Sequence, residues 1–132
     1  GLCDFLVNLA RPFIFATAPA PLVAVALRES LRLLREEPQR RARLAALVEH
    51  ARESISKRLG VPASPSQILP VIVGESEAAV RIAQAIQTAG FDVRAIRPPT
   101  VPAGTARLRI SITLNVDEAA IDGLGRALER SL

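Results

Sequence analysis

The sequence predicts an α+β fold: a three-stranded, mainly antiparallel sheet in the order 1-3-2, with helices on one face. Three observations predict it. Apolar residues recur at three- and four-residue spacing in two stretches before residue 60, and again in 75–89 and 117–132, which is the period of a helix. Two short runs rich in β-branched residues, "ILPVIVG" at 68–74 and "FDVRAI" at 91–96, have strand character. Residues 107–114 alternate cleanly, with Leu108, Ile110, Ile112 and Leu114 on one side and Arg107, Arg109, Ser111 and Thr113 on the other. The resulting order, α-α-β-α-β-β-α, accommodates one right-handed β-α-β crossover and a third strand returning antiparallel between the first two.

Each element has its own local reason. "LCDFLVNLA" reads as a helical turn or two, and "RPFIFAT" as a short extended piece opened by a proline. "APAPL" punctuates, and a helix follows from about Pro21, with Leu22, Val25, Ala26, Leu31 and Leu34 near one stripe. Pro38 opens a second helix at its first turn. Leu44, Leu47, Val48, Ala51, Ile55 and Leu59 line that helix, and Gly60 stops it. "VPASPSQ" links it to the first strand. The helix over 75–89 turns Ala79, Ile82, Ala83 and Ile86 inward and is closed by Gly90. Asp117 heads the last helix, whose inward residues are Ile121, Leu124 and Leu128.

A chain of 132 residues is long enough for one ordinary core and too short for two comfortable domains. Aromatics are scarce, with four Phe and no Trp or Tyr, so Leu, Ile, Val and Ala must fill that core. No apolar run is long enough to span a bilayer. The single cysteine, Cys3, has no partner for an internal disulfide, which predicts a cytoplasmic location. A net charge of +4 does not imply nucleic acid. Of the basic residues only Lys57 is lysine, and many arginines between Arg28 and Arg58 are interspersed with Glu29, Glu36, Glu37, Glu49 and Glu53. That pattern is a solvated helical face, and stacking aromatics are missing. His50, off the apolar stripe and flanked by Glu49 and Glu53, reads as a surface histidine; no metal site is expected.

The stretch "RPPTVPAGTARLRISIT" from Arg97 to Thr113 is more specified than a casual loop. Pro98, Pro99 and Pro102 hold the backbone near one shape, and Gly104 takes an angle that other residues resist. Read from the residues alone, Arg107 and Arg109 are solvent-facing strand residues, and the loop is a stiff turn.

This stretch, together with "FLVNLARPFIFATAPAP" near the start, resembles the C-terminal third of the 8-amino-7-oxononanoate synthase branch of the pyridoxal-phosphate-dependent α-oxoamine synthases. The resemblance runs through essentially the whole chain in order. It implies the small C-terminal domain of a fold-type I pyridoxal-phosphate enzyme at 19–132, with 1–18 as a remnant of the junction to a large domain. It further implies a homodimeric biotin-pathway enzyme that condenses L-alanine with a pimeloyl thioester, to coenzyme A or a carrier protein, and releases carbon dioxide. The second arginine of "RLR" is the family's carboxylate ligand, so the resemblance assigns that role to Arg109. It assigns a substrate contact to Thr100 and offers Arg97 as a second ligand. A Ser–Thr pair after "PFIF" reaches the cofactor phosphate of the other subunit in the family. Here the pair reads Ala16–Thr17, which leaves Thr17 as the cofactor-binding residue.

The family's Schiff-base lysine, ring-stacking histidine and ring-nitrogen aspartate have no counterpart in this chain. Lys57 lies off the buried stripe of its helix, so no catalytic residue is expected here, and the chain alone is expected to be inactive. Two alternatives stay open: a sister synthase using glycine, and a stand-alone interaction module that keeps the fold without the chemistry.

Overall fold

The computed structural model describes residues 1–62 and 64–132. They form two compact units, Gly1–Pro38 and Gln39–Leu132.

The first unit holds α1 (Leu2–Leu9), α2 (Arg11–Ile14) and α3 (Pro21–Glu36). "RPFIFAT" therefore opens as a helical turn and is not extended. Pro12 stands in the first turn, where a missing N–H is harmless, and the amides of Phe13 and Ile14 both donate to the Ala10 carbonyl. None of the three helices buries a residue. The stripe read along α3 is present as a pattern but is exposed, Leu22 and Leu31 included.

The second unit contains the core. It holds all of α4 (Pro38–Ala51) but its first residue, and that helix runs through a π-turn at Arg52–Ser56 into the short α5 (Lys57–Leu59). Gly60 ends this helical run in the left-handed region at φ 65°, a conformation that costs glycine little. Then come β1 (Ile68–Gly74), α6 (Ser76–Thr88), β2 (Arg94–Ile96), β3 (Ala106–Ser111) and α7 (Glu118–Ser131). The strands form one sheet in the order β1-β3-β2, antiparallel at both junctions, as the sequence predicts. Pro70 is tolerated inside β1 because β1 is an edge strand. Strand β2 is shorter than "FDVRAI" suggests. The Val93 amide turns back to the Phe91 carbonyl, and the Gln87 side chain donates to the Val93 carbonyl at 2.8 Å, so ladder pairing starts only at Arg94.

Register decides which face is buried. Leu69 lies opposite Ile110, and Val71 opposite Leu108, which itself faces Ala95. This row joins Ala83 and Ile86 of α6 and Ile121, Leu124 and Leu128 of α7 in one apolar cluster with Leu47, Ala51 and Ile55. The other row, with Ile68, Ile72, Arg94, Arg109 and Ser111, is exposed. The sheet is thus covered on one face and open on the other.

Two local devices fix α7. Its N-cap Asp117 accepts the Ala120 amide at 2.8 Å. Asp122 then ties α7 to the α4–π-turn run: its Oδ1 accepts Ser54 Oγ at 2.5 Å and lies 2.9 Å from His50 Nε2. His50 is therefore half-buried and partnered, unlike the surface residue its sequence neighbours suggested. The Ser54 hydroxyl, and after it His50, hold the Asp122 carboxyl below its ordinary value of 3.8. A carboxylate depressed in the folded state contributes stability that is complete above its unfolded pKa and is lost as pH falls through the folded one. Urea midpoints measured from about pH 5 down to about pH 2 should fall more steeply for the wild type than for Asp122→Asn. Parallel curves would show that the cluster contributes nothing.

Candidate functional site

The open face of the sheet carries the charged groups, and β3 presents two of them in its central position. Arg107 is occupied. Its Nε donates to the Thr105 carbonyl at 3.1 Å and its guanidinium to Thr105 Oγ1 at 3.2 Å. The Thr105 hydroxyl donates in turn to the Pro102 carbonyl at 2.7 Å. Across the loop, the Thr100 amide donates to the Arg97 carbonyl at 3.0 Å, closing a turn around the Pro98–Pro99 peptide, which is cis. Gly104 sits at φ 74°, a left-handed angle. The loop is thus pinned by its own hydrogen bonds, and Arg107 belongs to that pinning.

Arg109 is different. It is exposed on a strand held from both sides, and its guanidinium has no hydrogen-bond or ion-pair partner among the described residues. A planar cation on a rigid element, free of intramolecular partners, suits bidentate capture of a carboxylate. It lines a cleft of about 580 Å3 at the end of the sheet where β2 is missing. Arg94, Ser111, Thr113 and Asn115 give this cleft further polar groups, and Ile112, Val116 and Ile121 are among its apolar ones.

Arg97 and Thr100 are exposed on the loop, and neither lines that cleft. Arg97 stands three residues past Arg94, the residue paired with Arg109, which is about 10 Å along a strand. Arg97 lies just past the end of β2, and Arg97 and Arg109 do not share one pocket. Thr17 lies in the first unit, in the segment between α2 and α3, exposed and with no hydrogen bond from its hydroxyl among the described residues. Lys57 is exposed on α5. Sequence reasoning missed Arg94. Its place on "FDVRAI" was visible, but its position across from Arg109 depends on register, which one strand read singly does not reveal.

Among the described residues no cluster of His, Cys, Asp and Glu could hold a metal ion, and no helix is long and apolar enough to cross a membrane.

Comparison with known proteins decides the family. The family model for class I and II aminotransferases matches residues 1–128. The chain belongs to that family. Within it, the 8-amino-7-oxononanoate synthase of Methylobacterium radiotolerans is 46% identical over 125 residues, covering 95% of this chain and 32% of that protein. The chain thus spans about a third of the length of that relative. The crystal structure of the 8-amino-7-oxononanoate synthase of Francisella tularensis superposes with a TM-score of 0.81 at 23% identity, over 98% of this chain and 38% of that one, and shows the shared fold. Serine palmitoyltransferase from S. paucimobilis, solved with a bound pyridoxal phosphate–myriocin aldimine, matches at a TM-score of 0.80 and 29% identity, over 92% of this chain and 31% of that one. These aminotransferase-family neighbours are fold-type I pyridoxal-phosphate enzymes.

Proposed function

We propose that this chain is the C-terminal portion of a pyridoxal-phosphate-dependent synthase that condenses L-alanine with a pimeloyl thioester. A carbon–carbon bond forms between the amino-acid α-carbon and the acyl carbon, the thiol and carbon dioxide leave, and 8-amino-7-oxononanoate results. The likeness to the Methylobacterium synthase carries this reading, and the unpartnered Arg109 supports it. Pyridoxal phosphate, when bound, supplies the electron sink for the carbanion at the α-carbon.

The chain's own residues fit only the periphery of that cofactor. The Thr17 hydroxyl is free to donate to its phosphate. Lys57, on a solvated helix end, has no setting in which to hold its aldehyde, so the covalent chemistry falls to residues outside this chain. Arg109 holds the substrate carboxylate and so fixes the α-carbon, Thr100 touches substrate from the pinned loop, and Arg97 assists from its start. Residues 1–18 form the junction with a large domain. Phe5, Phe13 and Phe15, all more than half exposed, supply the apolar surface for it. The working enzyme is a cytoplasmic homodimer.

The test is product analysis with the full-length enzyme loaded with cofactor. L-alanine and a pimeloyl thioester should give 8-amino-7-oxononanoate and free thiol in equal amounts. Turnover only with glycine and a different acyl thioester would assign the chain to a sister synthase. No turnover with any pair of this type would favour an interaction module.

A further inference from the structure

The pairing of β2 with β3 places Arg94 directly across from Arg109. Residues so paired point to the same face with Cβ atoms about 4.5–5.5 Å apart, and like charges in that position repel. Among the described residues, the charge that answers Arg94 is Asp92, whose Oδ1 lies 2.7 Å from Arg94 Nε. It sits only two residues back, and the two side chains are 65% and 75% exposed, so the ion pair is weak and easily exchanged. Among those residues none answers Arg109. All three side chains line the same cleft, where Asp92 is the one acid facing two guanidiniums. The arrangement is short of one negative charge at the place where two arginines meet.

We infer that Arg94 is a second cation of the carboxylate site, held in reserve by Asp92 and transferred to the substrate carboxylate when that anion binds Arg109. The inference rests on the reading of Arg109 as the carboxylate ligand. A carboxylate has two oxygens and about four lone-pair sites, enough to accept from two guanidiniums at once. Its arrival turns the repulsion between the arginines into shared attraction. Arg94 then leaves Asp92, which remains solvated at the surface. The carboxylate keeps its charge until it leaves as carbon dioxide, so Arg94 holds it in the bound substrate and through the steps before that loss, and its removal acts on KM more than on kcat. Asp92 competes with the substrate for Arg94, so its removal must act in the opposite direction.

The test uses the full-length enzyme. KM and kcat for L-alanine are measured, together with the Kd for L-alanine from the cofactor's absorbance without acyl thioester. Arg94→Gln should raise KM and Kd by about 3- to 10-fold and leave kcat within about twofold. Arg94→Lys, which keeps the charge without the fork, should fall between. Asp92→Asn should lower KM below the wild-type value, and the double variant should match Arg94→Gln, because Asp92 acts only through Arg94. Unchanged KM and Kd in Arg94→Gln would overturn the inference. So would an Asp92→Asn variant that raises KM as Arg94→Gln does, since both changes would then only break a structural pair. Arg109→Leu separates the two levels. Wild-type KM in that variant would remove the reading beneath, whereas a damaged Arg109→Leu beside a silent Arg94→Gln would remove this inference alone.

Discussion

Replacing Arg109 with Leu in the full-length enzyme lowers kcat/KM for the amino acid by about 2–4 kcal/mol, with most of the loss in KM. The size follows from the setting. A charge-assisted, two-pronged contact is lost, and of the cleft's cations only the exposed Arg94, paired with Asp92, is left to the substrate carboxylate. Arg109→Lys should recover part of the loss, because the charge stays while the fork does not. Arg97→Leu should cost less, since Arg97 stands on the loop and does not line the cleft. Steady-state kinetics with varied L-alanine measure all three. Wild-type parameters for Arg109→Leu would mean that the charged row on β3 is merely solvated surface.

The largest stability loss is expected at Leu108. This side chain is fully buried on the central strand, between Val71 and Ala95, and is part of the cluster that joins the sheet to the helices. Leu108→Ala should cost about 2–5 kcal/mol, the transfer term of the removed methyl groups plus the cavity they leave. Leu108→Ile, which conserves volume, should cost less than about 1.5 kcal/mol. Urea unfolding of the 132-residue chain gives both values. A loss below about 1 kcal/mol in the alanine variant would mean that the site collapses around the gap and that the sheet is not the centre of the core.

Much of the second unit was legible because its signals are local. The alternation at 107–114 marked both faces of β3, Asp117 marked the start of α7, and Gly60 and Gly90 marked the ends of helical runs. What escaped depends on contacts between distant residues. The early end of β2 comes from the Gln87 side chain on the Val93 carbonyl, and the partner of His50 is Asp122, 72 residues on. "RPFIFAT" failed for another reason. A proline followed by apolar residues is compatible with a strand start or a first helical turn, and the Ala10 carbonyl accepting two amides decides for the helix. Of the candidate site, Arg109 was legible on its strand face, and its roles with Arg97, Thr100 and Thr17 came from resemblance. Arg94 was legible as a strand residue but not as a neighbour of Arg109.

The π-turn at Arg52–Ser56 bears on how this helical run tolerates changes in length. A π-turn accommodates one residue more than a regular α-helix between the same ends. Removing one residue elsewhere in α4 would rotate everything beyond it by about 100°, carrying Ile55 out of the core and Ser54 away from Asp122. Removing it within the turn would let the backbone relax into an ordinary helix while the segments on both sides keep their phase. The turn is also where the orphaned buried polar atoms gather: Arg52 Nε and Ser56 Oγ are the ones without a partner among the described residues. The surplus residue therefore sits where the interior is least well satisfied, and this is the point at which a shorter version of the same helix would most readily arise.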